Sequence, residues 1–251
     1  MSLTFVTSYI KIYNEDYDES KTFDKRLECF LKLVNIGINI CVFCSPEFKD
    51  QFEVICKKYT NVKLLGVISC DELNFTQLNN NIVRLPERRN KIKDTEKYMY
   101  LMNSKIDFVK KTIDINPFSS KFFAWFDFSL PYIFKNDKTI QDIKKLSETT
   151  FINSFLAMPG CWHYMFYNIN YIKNNICWRF CGGFFIGDKE SLIDFYNLSI
   201  LNFNEFLTQT NTLLWEVNYW CWLESYKHFK PTWYLADHDD SIINIPDHLI
   251  M

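Results

Sequence analysis

Residues 121–130 read KFFAWFDFSL, a continuous apolar and aromatic run that closes on one acid, Asp127, before Ser129, Leu130 and Pro131. An unbroken apolar run of this kind is the pattern of a strand buried on both faces of a parallel sheet. In an open α/β sheet, ligands sit at the carboxyl ends of the strands. A carboxylate at this exit therefore stands where a metal or a phosphate-bearing substrate is expected. The same residues also fit a buried strand that leaves the sheet through an aspartate.

The chain on the amino-terminal side supplies the sheet into which this strand inserts. Residues 3–13 (LTFVTSYIKIY) read as a first strand, and the polar 14–22 as a loop. Residues 23–36 carry Phe23, Leu27, Phe30, Leu31 and Val34 at helical spacing, with Gly37 as a stop. Residues 39–45 are an apolar strand, 46–59 a helix opened by Pro46, and 61–68 a third strand. This alternation predicts a parallel sheet with right-handed crossovers. After an irregular polar stretch at 70–90, residues 94–112 read as one long helix that delivers the chain into the strand 122–128.

The carboxyl-terminal side is more mixed. It reads as a charged helix at 137–147, a strand at 151–158 ended by Pro159 and Gly160, and a strand at 176–186 with Gly182 and Gly183 inside it. Helices at 189–208 and 211–229, a short strand at 232–236 and the acidic tail at 237–240 follow. With no linker or internal repeat, residues 1–251 are expected to form one domain. Its first half, 1–130, reads as a nucleotide-binding sheet, and its second, 131–251, is expected to cover it.

Composition narrows the function. A net charge of −2 argues against a large footprint on nucleic acid, and the basic run at 84–93 (RLPERRNKIK) is interrupted by Glu87 and reads as a solvated segment. Only six glycines occur, and neither GxGxxG nor GxxxxGK[ST] is present. Aromatic residues make up 18% of the chain, too many to lie on the surface. No apolar run is long enough to span a bilayer, and residues 1–12 begin as a strand without a signal-peptide pattern. The nine cysteines are an odd number scattered through apolar stretches. Cys41 and Cys44 fall on opposite faces of a strand, and Cys177 and Cys181 have no second pair at zinc-site spacing. All nine are expected to be reduced, which suits a cytoplasmic compartment.

Four places could carry chemistry. Asp127 could hold Mg²⁺ or Mn²⁺, which take oxygen ligands and bridge carboxylates to substrate phosphates. Gly182 and Gly183 mark either close approach of a ligand or a bulge, with Arg179 beside them as a phosphate contact or a surface residue. Glu216, alone among Leu213, Leu214, Trp215, Val217, Tyr219, Trp220 and Trp222, is a candidate general base, or else an acid on an exposed stripe. The tail Asp237-His238-Asp239-Asp240 could add a metal ligand or be a solvated turn. No nucleophile elbow or Cys/His pair supports a hydrolase.

The order TFVTSY, FFAWFDFS, FCGGFFIGD, LLWEVNYW and YLADHDDSI, spread over about residues 3–245, resembles the HtrL/YibB-like family of glycosyltransferase candidates. The resemblance implies an α/β, GT-A-like fold: a central, mostly parallel sheet flanked by helices, with a smaller mixed C-terminal part. It also implies a glycosyltransferase of hexosyltransferase type. Such an enzyme uses a nucleotide-sugar donor, with a UDP-sugar favoured, a glycan or glycoprotein acceptor, and Mn²⁺ or Mg²⁺. Under it, Thr7 and Tyr9 lie by the base and ribose, and Arg88, Arg89 or Lys105 meet the diphosphate. Asp127 holds the metal with Ser129 and His238, Gly182 and Gly183 admit the donor sugar, and Glu216 faces the acceptor hydroxyl or the donor. The chain departs from the pattern twice. Ser129 stands where an Asp-x-Asp pair has its second acid, and the late helix carries Glu216 without a paired aspartate. The alternatives are a nucleotide-sugar-binding protein without catalysis, and a carbohydrate-binding module that stacks Trp215, Trp220 and Trp222 on sugars.

Overall fold

The computed structural model describes residues 3–13, 22–78, 84–152 and 154–251. In chain order the strands are β1 (Leu3–Tyr9), β2 (Ile40–Cys44), β3 (Val62–Val67), β4 (Phe122–Phe126), β5 (Leu156–Gly160), β6 (Phe184–Asp188) and β7 (Thr232–Leu235). The helices are α1 (Phe23–Asn35), α2 (Lys49–Lys58), α3 (Asn74–Gln77), α4 (Glu96–Asn103), α5 (Lys105–Ile115), α6 (Lys138–Glu148), α7 (Ile169–Asn174), α8 (Lys189–Thr210) and α9 (Glu216–Tyr226).

The seven strands form one sheet in the order β3-β2-β1-β4-β6-β5-β7. β1 pairs in parallel with β2 and β4, β2 with β3, and β5 with β7. β6 alone is reversed, antiparallel to both neighbours. This is the mostly parallel sheet with a mixed C-terminal part that the sequence implies.

Alternation along β4 explains the aromatic load. Phe122, Ala124 and Phe126 face one core, shared with Phe30 and Val34 of α1, Phe52 of α2 and Leu146 of α6. Phe123 and Trp125 face the other, shared with Phe108 of α5, Phe203 and Phe206 of α8, and Trp220 and Trp222 of α9. Trp220 and Trp222 of α9 are thus core residues, 1% and 0% exposed, and do not form a sugar-stacking platform. Trp215, just before α9, is 8% exposed and edges the smaller cavity described below. All nine cysteines are free thiols.

Several boundaries differ from the sequence reading, each for a local reason. The first strand ends at Tyr9, and most of the expected loop after it, residues 14–21, lies outside the described residues. Pro46 opens a short 3₁₀ turn, Pro46–Phe48, before α2. Gly37, at φ 75°, stops the chain after α1 as expected. The single helix expected over 94–112 is two helices, broken at Ser104. The Ser104 hydroxyl donates to the Tyr100 carbonyl, and the Asn103 amide donates to the carbonyls of Met99 and Leu214, so side chains compete locally with the helical ladder. Pro159 and Gly160 lie within β5 rather than ending a strand, and Gly182 and Gly183 lie in the turn before β6 rather than inside it. The late helix begins only at Glu216, because Trp215 is its extended N-cap.

Candidate functional site

The break at Ser104 places Lys105 in the first turn of α5, aimed at the carboxyl end of β4. Its ammonium, 2% exposed, lies 3.0 Å from Asp127 Oδ1 and 2.8 Å from Glu216 Oε1. It also donates to the Gly182 carbonyl at 2.9 Å. Burial alone would lower the Lys105 pKa, but the Asp127 and Glu216 carboxylates outweigh it and hold the pKa above its ordinary value.

Asp127 leaves β4 half-buried. Its Oδ1 also accepts from Trp125 Nε1 at 2.9 Å, and its backbone N–H donates to the Gly183 carbonyl at 2.9 Å. Oδ2 has no hydrogen-bond partner among the described residues and lies 3.7 Å from where a Gly183 Cβ would stand. Glu216 comes from the opposite side, at the start of α9. A Cβ on Gly182 would lie 2.0 Å from Glu216 Oε1. The glycine at 182 is therefore explained first by the Glu216 carboxylate, which packs on its α-carbon.

Two cavities meet over this triad. The larger, about 660 Å³, runs along the ends of β1 and β4 and is lined by Ser8, Tyr9, Lys11, Arg26, Lys93, Tyr98, Trp125, Asp127 and Ser129, among others. The smaller, about 340 Å³, is lined by Lys105, Asp127, Ser129, Trp178, Gly182, Gly183, Glu216 and His238, among others. Lys93, Tyr98, Met102, Asp127 and Ser129 line both, so the two form one cleft with Asp127 at the junction. Their size suits a small-molecule site. Burial, and after it the charges of Glu216 and Asp127, push the Tyr98 phenol well above its ordinary pKa, so this wall of the cleft is a neutral hydroxyl beside a negative site.

The structure brings Asp127, Ser129, Lys105, Gly182, Gly183, Glu216 and His238 together, and it separates the others. Thr7 is fully buried in β1, its hydroxyl has no hydrogen-bond partner among the described residues, and it lines neither cavity. Tyr9 lines the larger cavity, with its ring packed among Phe23, Phe48 and Phe128 at centroid distances of 4.8–5.0 Å. Arg88 is exposed and Arg89 donates to the Asp94 and Pro86 carbonyls; neither lines the cleft. Lys105 does not extend toward solvent for a diphosphate, because the two acids hold it inside. Arg179 is 4% exposed and makes a two-pronged ion pair with Glu224 at 2.7 and 2.8 Å, which removes it as a phosphate contact. Sequence reasoning missed Lys11, Arg26 and Lys93, the basic residues that do line the larger cavity. Lys93 closes the basic run at 84–93, so that run held a usable signal at its last position.

Comparison with known proteins gives a family and a distant structural likeness. A family model described as "Bacterial protein of unknown function (HtrL_YibB)" matches residues 1–213. No curated protein sequence matches. Mouse xyloside xylosyltransferase 1 in its apo form is similar over 93% of this chain and 84% of its own, at 6% identity and a TM-score of 0.46. The 4-diphosphocytidyl-2C-methyl-D-erythritol synthase of Anaerococcus prevotii DSM 20548 is similar over 94% and 87%, at 8% identity and 0.44. A glycosyltransferase involved in glycosylation of the major capsid of PBCV-1 is similar over 94% and 82%, at 10% identity and 0.43.

Proposed function

The chain belongs to the HtrL_YibB family, and from the geometry of its cleft we propose that it is a glycosyltransferase acting on a nucleotide-sugar donor, with a divalent cation on the diphosphate. One observation carries this reading. Asp127 stands at the carboxyl end of a central strand, at the junction of a larger cavity edged by Lys11, Arg26 and Lys93 and a smaller one floored by the glycine turn and Glu216. The first compartment suits a nucleoside diphosphate, the second a sugar and the acceptor hydroxyl. A UDP-sugar donor and a glycan or glycoprotein acceptor follow from the family resemblance.

The donor set fits Mg²⁺ or Mn²⁺. Asp127, Ser129 and His238 line the same cavity, and such ions are commonly held by one or two carboxylates plus substrate phosphates. When bound, the cation supplies charge neutralisation for the departing diphosphate. Lys105 fixes Asp127 and Glu216 relative to each other. Lys93 and Lys11 attract the phosphates, and Glu216 takes the acceptor proton if the anomeric configuration inverts, or holds the donor if it is retained.

A second reading, nucleotide-sugar binding without turnover, draws on Ser129 in place of a second acid and on the engagement of Asp127 Oδ1 by Lys105 and Trp125. The test is thermal denaturation with UDP, GDP, CMP and dTDP, each with and without Mn²⁺, followed by donor hydrolysis. The expected result is stabilisation by one nucleotide, enhanced by Mn²⁺, with hydrolysis that disappears in Asp127→Ala. Binding without hydrolysis selects the second reading. No shift with any nucleotide refutes both.

A further inference from the structure

Cys161, Cys181 and His238 are far apart in sequence, yet their ligand atoms all lie within 4.8 Å of one another. From this cluster we propose a thiolate–imidazole site for a Zn²⁺-like ion, separate from any cation at Asp127, with Asp237 as its fourth ligand. The proposal does not depend on the transferase reading.

The distances from Cys161 are close to those of a tetrahedral site, and Asp237, which lies outside the mutual cluster, completes the set by a side-chain movement. Two thiolates bound to one zinc stand about 3.8 Å apart, and a thiolate and a nitrogen or oxygen ligand about 3.5 Å. Here Cys161 Sγ lies 3.5 Å from Cys181 Sγ, 3.6 Å from Asp237 Oδ1 and 4.0 Å from His238 Nδ1. His238 Nδ1 lies 3.4 Å from Asp237 Oδ1.

The backbone holds these groups in place before any ion arrives. The Cys181 N–H donates to the Pro159 carbonyl and the Ala236 N–H to the Gly160 carbonyl, so the end of β5 clamps the other two segments on either side of Cys161. The Trp178 ring packs edge-on against the His238 ring at 4.7 Å. Cys181 is fully buried, while Cys161 and His238 reach the surface, which gives the ion a way in. Two neutral thiols and a carboxylate are a poor set for the hard cation proposed at Asp127, and thiolate with imidazole selects zinc. Binding displaces the two thiol protons to solvent.

The site would tie down the turn that carries Gly182 and Gly183, whose carbonyls receive Lys105 and the Asp127 N–H. It also commits one nitrogen of His238. Nδ1 belongs to the thiol pair, and only Nε2 is left for an ion at Asp127.

The test is titration of the reduced chain with Co²⁺, which reports thiolate ligation by a sulfur-to-cobalt charge-transfer band. One equivalent is expected to give that band together with the strong visible absorption of a tetrahedral site, and Zn²⁺ is expected to displace it. Cys161→Ser cuts the band to half or less, His238→Ala weakens Co²⁺ binding at least about tenfold by removing a ligand, and Asp127→Asn leaves the band intact. Absence of the band in the reduced wild-type chain overturns the proposal. So does a band that survives at full strength in Cys161→Ser, a Co²⁺ affinity unchanged in His238→Ala, or a band lost in Asp127→Asn.

Discussion

Replacing Gly182 with alanine tests the arrangement of the site most directly. The added methyl would stand 2.0 Å from Glu216 Oε1, 2.9 Å from its Cδ and 3.3 Å from Lys105 Nζ. Two responses are open. Glu216 can swing away, which breaks its buried pair with Lys105; removing one partner of such a pair costs about 3–5 kcal/mol. The turn can shift instead, which loosens the bonds from Lys105 Nζ to the Gly182 carbonyl and from the Asp127 N–H to the Gly183 carbonyl. A hydrogen bond to a charged group contributes about 1.5–3 kcal/mol and a neutral one about 1. Both routes converge on a loss of about 3 kcal/mol, or roughly 6–12 °C in melting temperature for a domain of this size.

The neighbouring glycine is the control. A methyl on Gly183 would meet the ends of the Ile242 and Leu130 side chains at 3.3 and 3.4 Å, and these can give way. Gly183→Ala is expected to cost about 1 kcal/mol or less, within the range of mild overpacking. Thermal melts of both variants, and of Gly182→Ala in a Glu216→Ala background, complete the set. The double variant removes the clashing carboxylate, so the effect of Gly182→Ala there should shrink to a fraction of its value in the wild-type chain. Gly182→Ala melting within about two degrees of wild type, or Gly183→Ala falling as far as Gly182→Ala, would refute the claim that Glu216 and Lys105 dictate glycine at position 182.

Lys105→Met leaves Asp127 and Glu216 facing each other without their cation, and is expected to destabilise the chain by about 3–5 kcal/mol, read as a lower denaturant midpoint. Arg179→Ala strands buried Glu224 and is expected to cost a similar amount while leaving nucleotide-induced stabilisation intact, because Arg179 lines neither cavity. Asp188, the N-cap of α8, accepts from the Ser191 N–H and hydroxyl and from the Phe155 N–H. Burial opposes its charge, but these bonds outweigh burial and hold its pKa below the ordinary value. Its contribution is therefore complete above the unfolded value of about 3.9 and is lost as pH falls through the folded one. Asp188→Ala should cost about 1–2 kcal/mol at neutral pH, and the gap from wild type should narrow in melts taken below pH 4; a gap that stays constant down to pH 2 would refute the assignment.

The first half of the sheet was readable because β2 and β4 are apolar runs, β1 is rich in β-branched and aromatic residues, and α1 carries a 3.6-residue stripe. The break at Ser104 was not, since Tyr98, Leu101 and Met102 before it and Ile106 and Val109 after it keep the apolar face that one continuous helix would show. What interrupts that helix is the reach of Asn103 to the Leu214 carbonyl, a contact 111 residues away. The glycine turn before β6 was misplaced for a related reason. Cys177, Phe180 and Cys181 are as apolar as a strand requires, and only their tertiary partners reveal that pairing starts at Phe184. Asp127 and Glu216 stood out because each is an acid in an apolar setting. Lys105 carried no such mark, so its role as the buried cation between them could not be read along the chain. The cysteine cluster was invisible to spacing rules, because Cys161 lies 20 residues from Cys181 and 77 from His238.

These unread features act together. Had α4 run on through Ser104, Lys105 would not begin a new helix and would not reach both acids. Had either α9 or the glycine turn been displaced, Glu216 could not rest against the α-carbon of Gly182. The buried ammonium therefore measures three segments against one another, and the free Oδ2 of Asp127 keeps its aim only while all three agree. A buried ion pair is weak evidence of stability, since apolar packing can often replace it. Its placement beneath a cleft, with Asp127 Oδ1 held by Lys105 and Trp125 and Oδ2 without a hydrogen-bond partner among the described residues, supports the proposed role of these charges in orienting what enters the cleft.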